Sequence, residues 1–492
     1  RPMGERVWEA IMDIANAPRA LLSSVDISGL LRQGGILTAR HPLEAAKTVK
    51  PMLRAMFSDK NTAVMDDIIR SRVGMEELLD KSLREKLFIA PIPEKTATAL
   101  GQMEEAFMTK VFDKIPSWAN FIRASNRSYI TGLNDIRSRS ALSTLNSWKG
   151  AGLKLNKKIE YGSIKNLEYG VGDLSDLNRM VNWASGRGTL PKALNEAGTL
   201  LNATFFSPKL IMGRLEFAGM GAKAVASQLA STLTGKEILM SPLVRKEVMK
   251  TWLSFLGAGS GILTMAQMSG VADIEIDPRS ADFGKIKVGD TRLDVWAGYQ
   301  QYMRFTAQMV TSQRKTAIGT TQELKRSSIV GKFAESKLSP AVGLINDLLQ
   351  GQTYLGEEMV MEGGFIGKQF YERMMPMAVQ DLVDAWAQEG PVGGIIASPS
   401  FLGIGVVTYP EWTPEEKYQA RKEFDYTGIE NKIWANYSPQ MRKISDQISK
   451  LENDNPQKAR EMLFRYPVIL MARTLIAQEK KRWLSLNQRY FQ

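Results

Sequence analysis

Apolar residues recur at helical spacing over most of the chain, and proline and glycine punctuate the runs. Val7, Trp8, Ile11, Met12 and Ile14 predict a helix over 4–15, ended by Pro18. Further amphipathic stretches lie near 43–57, 61–71, 75–87 and 96–114, with Pro51, Gly74 and the Pro91/Pro93 pair among them. The longest uninterrupted helical pattern runs from Ser117 to about Trp148. Trp118, Phe121, Ile122, Tyr129, Leu133 and Ile136 make its apolar stripe, and Arg123, Arg127, Arg137 and Arg139 its polar flank. Those arginines read first as a solvated helix face and second as a stripe facing an anion.

Residues 150–172 are glycine-rich and basic, which predicts a connector or exposed turn. Asp173 or Ser175 is a fair N-cap for a helix carrying Leu177, Met180, Val181 and Trp183. The least polar part of the chain follows. Leu200 to Met220 contains Phe205 and Phe206, then Gly213 and Gly219, small residues that let backbones approach closely. Trp252 to Ala272 holds twenty-one residues without a charge, long enough to span a bilayer but weakened for that role by its glycines, serines and Gln267. A buried helix is the first expectation there, and Gly257 with Gly261 forms a G-x-x-x-G pair suited to tight helix contact. A second uncharged run, 391–410, carries enough glycine and proline to predict an ordered apolar loop.

One segment alternates with period two. Lys285 to Val288, the Gly289-Asp290 turn and Thr291 to Val295 predict a β-hairpin, to which Ile274 and Ile276 add a third strand. From Tyr299 onward helices are predicted over 299–316, 321–335, 339–350, 365–389, 413–424, 430–452 and 456–491. The fold class is therefore mainly α, an extended multi-helix assembly with a small antiparallel β-hairpin insertion. Three regions are expected: an N-terminal helical region over 1–190, central apolar helices plus the hairpin over 191–320, and a C-terminal helical region over 321–492.

Composition removes several chemistries. With no cysteine there is no disulfide, thiol nucleophile or cysteine-held metal, and with His41 as the sole imidazole a multi-histidine site is impossible. The 64 Lys and Arg exceed the 52 Asp and Glu by twelve, a field that acts on nucleic acid, acidic proteins and anionic lipid alike. The 25 methionines read mainly as adaptable core filler. The chain opens Arg1-Pro2-Met3 with no signal-peptide pattern.

Motifs for catalysis are weak. Gly363 to Lys368 falls short of a P-loop because Glu362 and Gln369 stand where glycine and a hydroxyl belong. Gly219-Met220-Gly221 lacks the rest of a dinucleotide fingerprint, and Ser312 with Lys315 matches only a bare S-x-x-K. His41, between Arg40 and Pro42, reads as a boundary histidine whose neighbouring cation disfavours protonation. Glu104, Glu105, Asp381 and Asp384 are available for two-carboxylate chemistry, yet all lie on amphipathic helices. Basicity is diffuse, with Lys149, Lys154, Lys157 and Lys158 and the terminal Lys480, Lys481 and Arg482 group, which suits sequence-independent phosphate contact.

Five groups of segments, in order over residues 26–350, carry a resemblance. They are Asp26-Ile27-Ser28 with Leu31-Arg32-Gln33-Gly34; Asn126-Arg127 with Leu133-Asn134-Asp135-Ile136-Arg137; and Phe205-Phe206-Ser207-Pro208 with Arg214. The others are Phe283 through Asp294, and Lys337-Leu338-Ser339-Pro340 with Asn346-Asp347. Together they resemble helical regions of the large virion-associated polypeptides of tailed bacteriophages, the polyvalent and internal virion or DNA-ejection proteins. The resemblance implies a non-enzymatic structural protein, packaged in the head interior or tail lumen and refolded in the host envelope or periplasm as part of an oligomeric genome channel. It implies no catalytic residue, cofactor or metal.

Implied partners are other copies of the chain, further ejection, portal or tail proteins, genomic DNA without sequence preference, and conditionally the host membrane. Arg123, Arg127, Arg137, Arg139, Lys480, Lys481 and Arg482 are the candidate DNA or partner contacts; Phe205, Phe206, Gly257 and Gly261 are the candidates for subunit or membrane packing. The competing expectations are a peptidoglycan-cleaving virion enzyme and a sequence-independent DNA-binding or scaffolding module.

Overall fold

The computed structural model describes residues 29–91, 116–191, 201, 204–205, 207–234, 240–316, 319–339, 342–343, 346–347, 377–409 and 414–487. It is mainly α with a small antiparallel β insertion. The chain forms two compact units, residues 1–314 with 323–409, and 315–322 with 410–492. The helices expected over 4–15 and 96–114 lie outside the described residues, as does the Gly363 to Lys368 near-motif.

The first unit is built around one long helix. Its elements begin with α1 (Gly35–Arg40), α2 (Pro42–Phe57), α3 (Asp59–Arg70), the single turn α4 (Met75–Leu78) and α5 (Pro116–Gly150). A two-stranded parallel pair, β1 (Lys154–Asn156) with β2 (Glu168–Gly170), leads into α6 (Val171–Ala184). Next come α7 (Pro208–Thr234), α8 (Pro242–Met268), β3 (Asp273–Ile274), β4 (Ile286–Val288), β5 (Thr291–Asp294), α9 (Gln300–Thr311) and α10 (Arg326–Glu335). α11 (Met377–Ala397) and β6 (Gly405–Thr408) complete the unit. One continuous apolar cluster runs from Ile36 and Leu37 through Ile136 and Leu145 to Phe217, Phe255 and Tyr299. It therefore crosses the border between the first two regions expected from sequence.

The hairpin forms as predicted, with Ile286 opposite Leu293 and Val288 opposite Thr291, and Gly289 adopts the left-handed φ of 56° that its turn requires. Ile274 adds a strand through pairing with Ile286. A fourth strand, β6, pairs with β5. Arg292 locks that edge: its Nη1 donates to the Tyr409 carbonyl at 2.9 Å and its guanidinium stacks 3.9 Å from the Tyr409 ring.

Three local expectations are corrected. The run 391–410 is not a loop: α11 bends at Gly390, whose φ is 63°, and Pro391 then opens a second helical stretch, followed by a 3-10 turn over Ser398–Leu402 and β6. Proline at the first turn of a helix loses no hydrogen bond, so the composition that argued against a helix marks its start. Helix α10 begins at Arg326, later than the 321–335 pattern implies. The third correction concerns 75–87, which is helical only to Leu78.

Beyond Leu78 the backbone is held by asparagines from neighbouring helices. Asn178 Nδ2 donates to the Leu78 carbonyl at 2.9 Å, and Asn182 accepts from Phe88 N–H at 2.9 Å while donating to the Lys86 carbonyl at 2.9 Å. Asn134 accepts from Ala90 N–H and donates to its carbonyl, both at 2.8 Å. Side-chain amides thus replace the hydrogen bonds that a helix would have supplied to this buried stretch.

The second unit contains α12 (Pro414–Trp434), α13 (Pro439–Asp454), α14 (Pro456–Arg465) and α15 (Pro467–Asn487). Trp434, Ile448, Ala459, Ile469, Ala472 and Ile476 form its core. Pro467 divides the helix predicted over 456–491, and the 413–424 helix extends to Trp434. Arg473 of α15 clasps α13 by donating to the Ser445 carbonyl at 2.7 Å and pairing with Glu452 at 2.7 Å.

Substituting Asn134→Leu keeps the branching of the side chain but strands the Ala90 N–H and carbonyl. It should lower unfolding free energy by about 3 kcal/mol in urea denaturation followed by circular dichroism.

Candidate functional site

The basic flank of α5 turns inward. Arg137 is fully buried: its Nε donates to Ser185 Oγ at 2.7 Å, and its guanidinium carbon lies 5.3 Å from the centre of the Phe88 ring. Arg127 donates to the Ala55 carbonyl at 3.1 Å and the Met56 carbonyl at 3.0 Å, and pairs with Asp59 at 2.8 Å. It thus caps the C-terminal end of α2, where a cation is favoured by the exposed carbonyls. Arg139 binds Asp135 at 2.6 Å and Glu44 at 3.3 Å, and Arg123 is half-buried on the same helix. The solvated basic face is therefore a correction for Arg127, Arg137 and Arg139: packing on several sides of α5 commits their donors to internal acceptors.

Asp135 anchors this arrangement. Its carboxylate is fully buried and accepts from Thr48 Oγ1 at 2.7 Å, from Arg139 Nε and from Arg72. Such a group is tolerated only when paired and hydrogen-bonded. Along the same helix lie buried oxygens of Ser125, Asn126, Ser128, Thr131, Ser140 and Thr144 that have no hydrogen-bond partner among the described residues. Sequence reading missed this polar interior. Its signal was the absence of Lys and Glu from Ser117 to Trp148, since a solvated helix face draws on those residues.

The packing candidates divide. Gly259 sits against the Trp296 ring, and Phe255 meets Trp296 with ring centres 5.9 Å apart. Phe217, Trp252 and Tyr299 continue this aromatic seam, which fastens α7 and α8 to the β-sheet exit. Gly257 and Gly261 point the other way. Both are exposed, and nothing described lies within 4 Å of where a Cβ would stand. From Leu253 onward one face of α8 is accordingly not buried as expected: Leu253, Met265 and Met268 are exposed, Met268 by 81%. Among the described residues no helix is long and apolar enough to cross a membrane. Phe205 is half-buried in a bridge to Leu338, and Phe206 lies outside the described residues.

Lys480 pairs with Glu430 and lies 4.9 Å from the Tyr426 ring centre, whereas Lys481 and Arg482 are exposed. Among the carboxylate candidates, Asp381 is half-buried and Asp384 exposed on α11, while Glu104 and Glu105 lie outside the described residues. Ser312 caps α9 in a left-handed conformation, φ 55°, a positioning role. Among the described residues no cluster of His, Asp and Glu is placed to hold a metal ion.

His41 joins α1 to α2, its N–H bonded to the Leu37 carbonyl at 2.8 Å. Burial, helped by Arg40, pushes its imidazole pKa down to about 4, against smaller opposing effects of Glu247 and Glu44. The unfolded chain therefore binds a proton near pH 6.5 that the folded chain refuses until about pH 4, so this contribution to stability is lost as pH falls through that window. Wild type should lose about 2 kcal/mol more than His41→Asn between pH 7 and pH 5 in urea denaturation.

The two kinds of glycine on α8 give opposite expectations. Gly259→Ala should destabilise by about 1–3 kcal/mol because Trp296 must move, whereas Gly257→Ala should be neutral or stabilising by up to about 1 kcal/mol. Thermal unfolding of the two variants checks this contrast. The chain matches no protein-family model, no curated protein and no solved structure.

Proposed function

We propose that this chain is a non-enzymatic structural component of a tailed-phage genome-ejection apparatus. It is packaged in the particle, passed out through the tail, and refolded with other copies into a passage for DNA across the host envelope. The observation that carries the reading is the polar interior around α5. Each buried oxygen without a partner, from Ser125 to Thr144, forfeits its water at a cost of about 1–3 kcal/mol, and regains it when the chain opens. A core built this way yields more readily than an apolar one of the same size, which suits a chain that must thread and refold. The absence of cysteine supports the same reading, because no cross-link can form to obstruct passage in an oxidising compartment. The ordered segments from Asp26 to Asp347 add the resemblance to ejection proteins.

DNA contact in this reading falls to exposed cations such as Lys154, Lys158, Lys481 and Arg482, since much of the α5 flank is engaged internally. Cryo-electron microscopy of the particle before and after ejection tests the proposal directly. Density for this chain in the head or tail lumen beforehand and in the envelope afterwards is the expected result; an unchanged position in an emptied capsid overturns it. Affinity for duplex DNA should fall roughly tenfold or more between 50 and 200 mM salt, without sequence preference. Lys481→Glu with Arg482→Glu should weaken it further, as measured by fluorescence anisotropy.

A further inference from the structure

α7 and α8 form an antiparallel pair, with Phe217 stacked on Trp252 at 5.0 Å and Arg245 donating to Ser227 at 3.3 Å. One side of the pair is fixed to the core by the aromatic seam. The other side has no cover among the described residues: Val225, Leu229 and Leu233 on α7, and Leu253, Met265 and Met268 on α8, are all exposed. No residue from Thr251 to Ala272 is charged, and from Phe217 to Thr234 the sole charge is Lys223. Between the helices lies an apolar groove of about 350 Å³ lined by Gly221, Val225, Trp252, Leu253 and Leu256. The large apolar side chains of this face expose on the order of 1,000 Å², comparable with the ~800 Å² that each partner buries in a standard specific interface.

We infer that this face is a seam between two copies of the chain, in which α8 of one copy crosses α8 of the other antiparallel at Gly257 and Gly261. Three observations select a second copy. The glycines leave an open strip where another helix can approach closely, as in small-residue helix crossings. The strip runs the length of one helix face, Lys246, Lys250, Leu253, Gly257, Gly261 and Met268, so two identical faces can lie along each other. Its ends are of opposite charge: Lys246 is exposed at the start of α8, and Asp273 is exposed just past its end. A two-fold antiparallel crossing centred between the glycines brings the Lys246 end of each copy beside the Asp273 end of the other, a self-complementary pattern. An anionic bilayer fits less well, because Asp273, Glu275 and Asp277 follow the helix and lipid headgroups would repel them.

This seam deepens the oligomeric part of the proposed function and rests on that part alone. Sedimentation of the full chain across a range of concentrations tests it. Wild type should self-associate, and Leu253→Glu should weaken association at least tenfold while leaving the melting curve of the dilute, dissociated protein unchanged, since Leu253 is exposed. Lys246→Glu and Asp273→Lys should each weaken association, and the double exchange should restore it.

Assemblies indifferent to Leu253→Glu, or a double exchange no better than the singles, overturn the seam and leave the proposed function standing. A wild type that stays monomeric overturns both. Flotation of monomeric wild type with vesicles of phosphatidylserine and phosphatidylcholine, abolished by Leu253→Glu, overturns the seam by making lipid the occupant of this face.

Discussion

The burial of three consecutive kinds of polar group on one helix, Asn134, Asp135 and Arg137, is the constraint around which the first unit is arranged. A helix enclosed on several sides cannot leave an amide, a carboxylate and a guanidinium unpaired, because each would lose its hydration without return. The partners are therefore dictated. Ala90 must lie alongside Asn134, Arg72 and Thr48 must reach Asp135, and Ser185 must stand at the end of α6 to meet Arg137. These requirements bring together segments distant in sequence. They also fit the irregular course of residues 79–90, where asparagines supply several of the backbone bonds that a continuing helix would have made.

The aromatic seam performs the complementary task for the apolar helices. Phe217, Trp252, Phe255, Tyr299 and Trp296 meet edge to face or stacked, and the Trp296 indole N–H donates to the Gly284 carbonyl at 2.8 Å. The second half of α8 is thereby held by one face only. Gly259 lets the Trp296 ring approach the helix closely, and at Gly257 and Gly261 on the opposite face no neighbour is found among the described residues. The two-sidedness of α8 is thus a consequence of how the sheet packs, although its amino acids are apolar or small on both sides.

Local signals were legible and long-range ones were not. The hairpin could be read because alternation, turn glycine and return strand lie within about a dozen residues, and the α5 pattern could be read because no breaker interrupts it. β6 was hidden, since its partner β5 is more than a hundred residues away and its own neighbourhood is rich in glycine and proline. The arginines of α5 were misjudged for a related reason: period shows which residues share a face, but not what lies against it. For α8 the difficulty was the reverse. A helix apolar all round reads as core whether its second face meets the same chain or a different molecule.

These placements change the meaning of the net positive charge. Of the four α5 arginines proposed for DNA, Arg127, Arg137 and Arg139 are bound to carbonyls, a hydroxyl or carboxylates of the same unit, so their charges serve cohesion. For Arg127 and Arg139, which pair with Asp59 and with Asp135 and Glu44, the contribution to any field outside the protein is reduced, since a guanidinium beside a carboxylate acts as a dipole rather than a free charge. What remains for an external anion sits on short exposed segments such as Lys154 and Lys158, and on Lys481. A surface with scattered cations would attract phosphate weakly and at many points, while the proposed seam on α8 would let identical copies meet without repulsion. On the proposed reading, weak attraction to DNA and a specific contact between subunits are different requirements, and the chain would meet them with different surfaces.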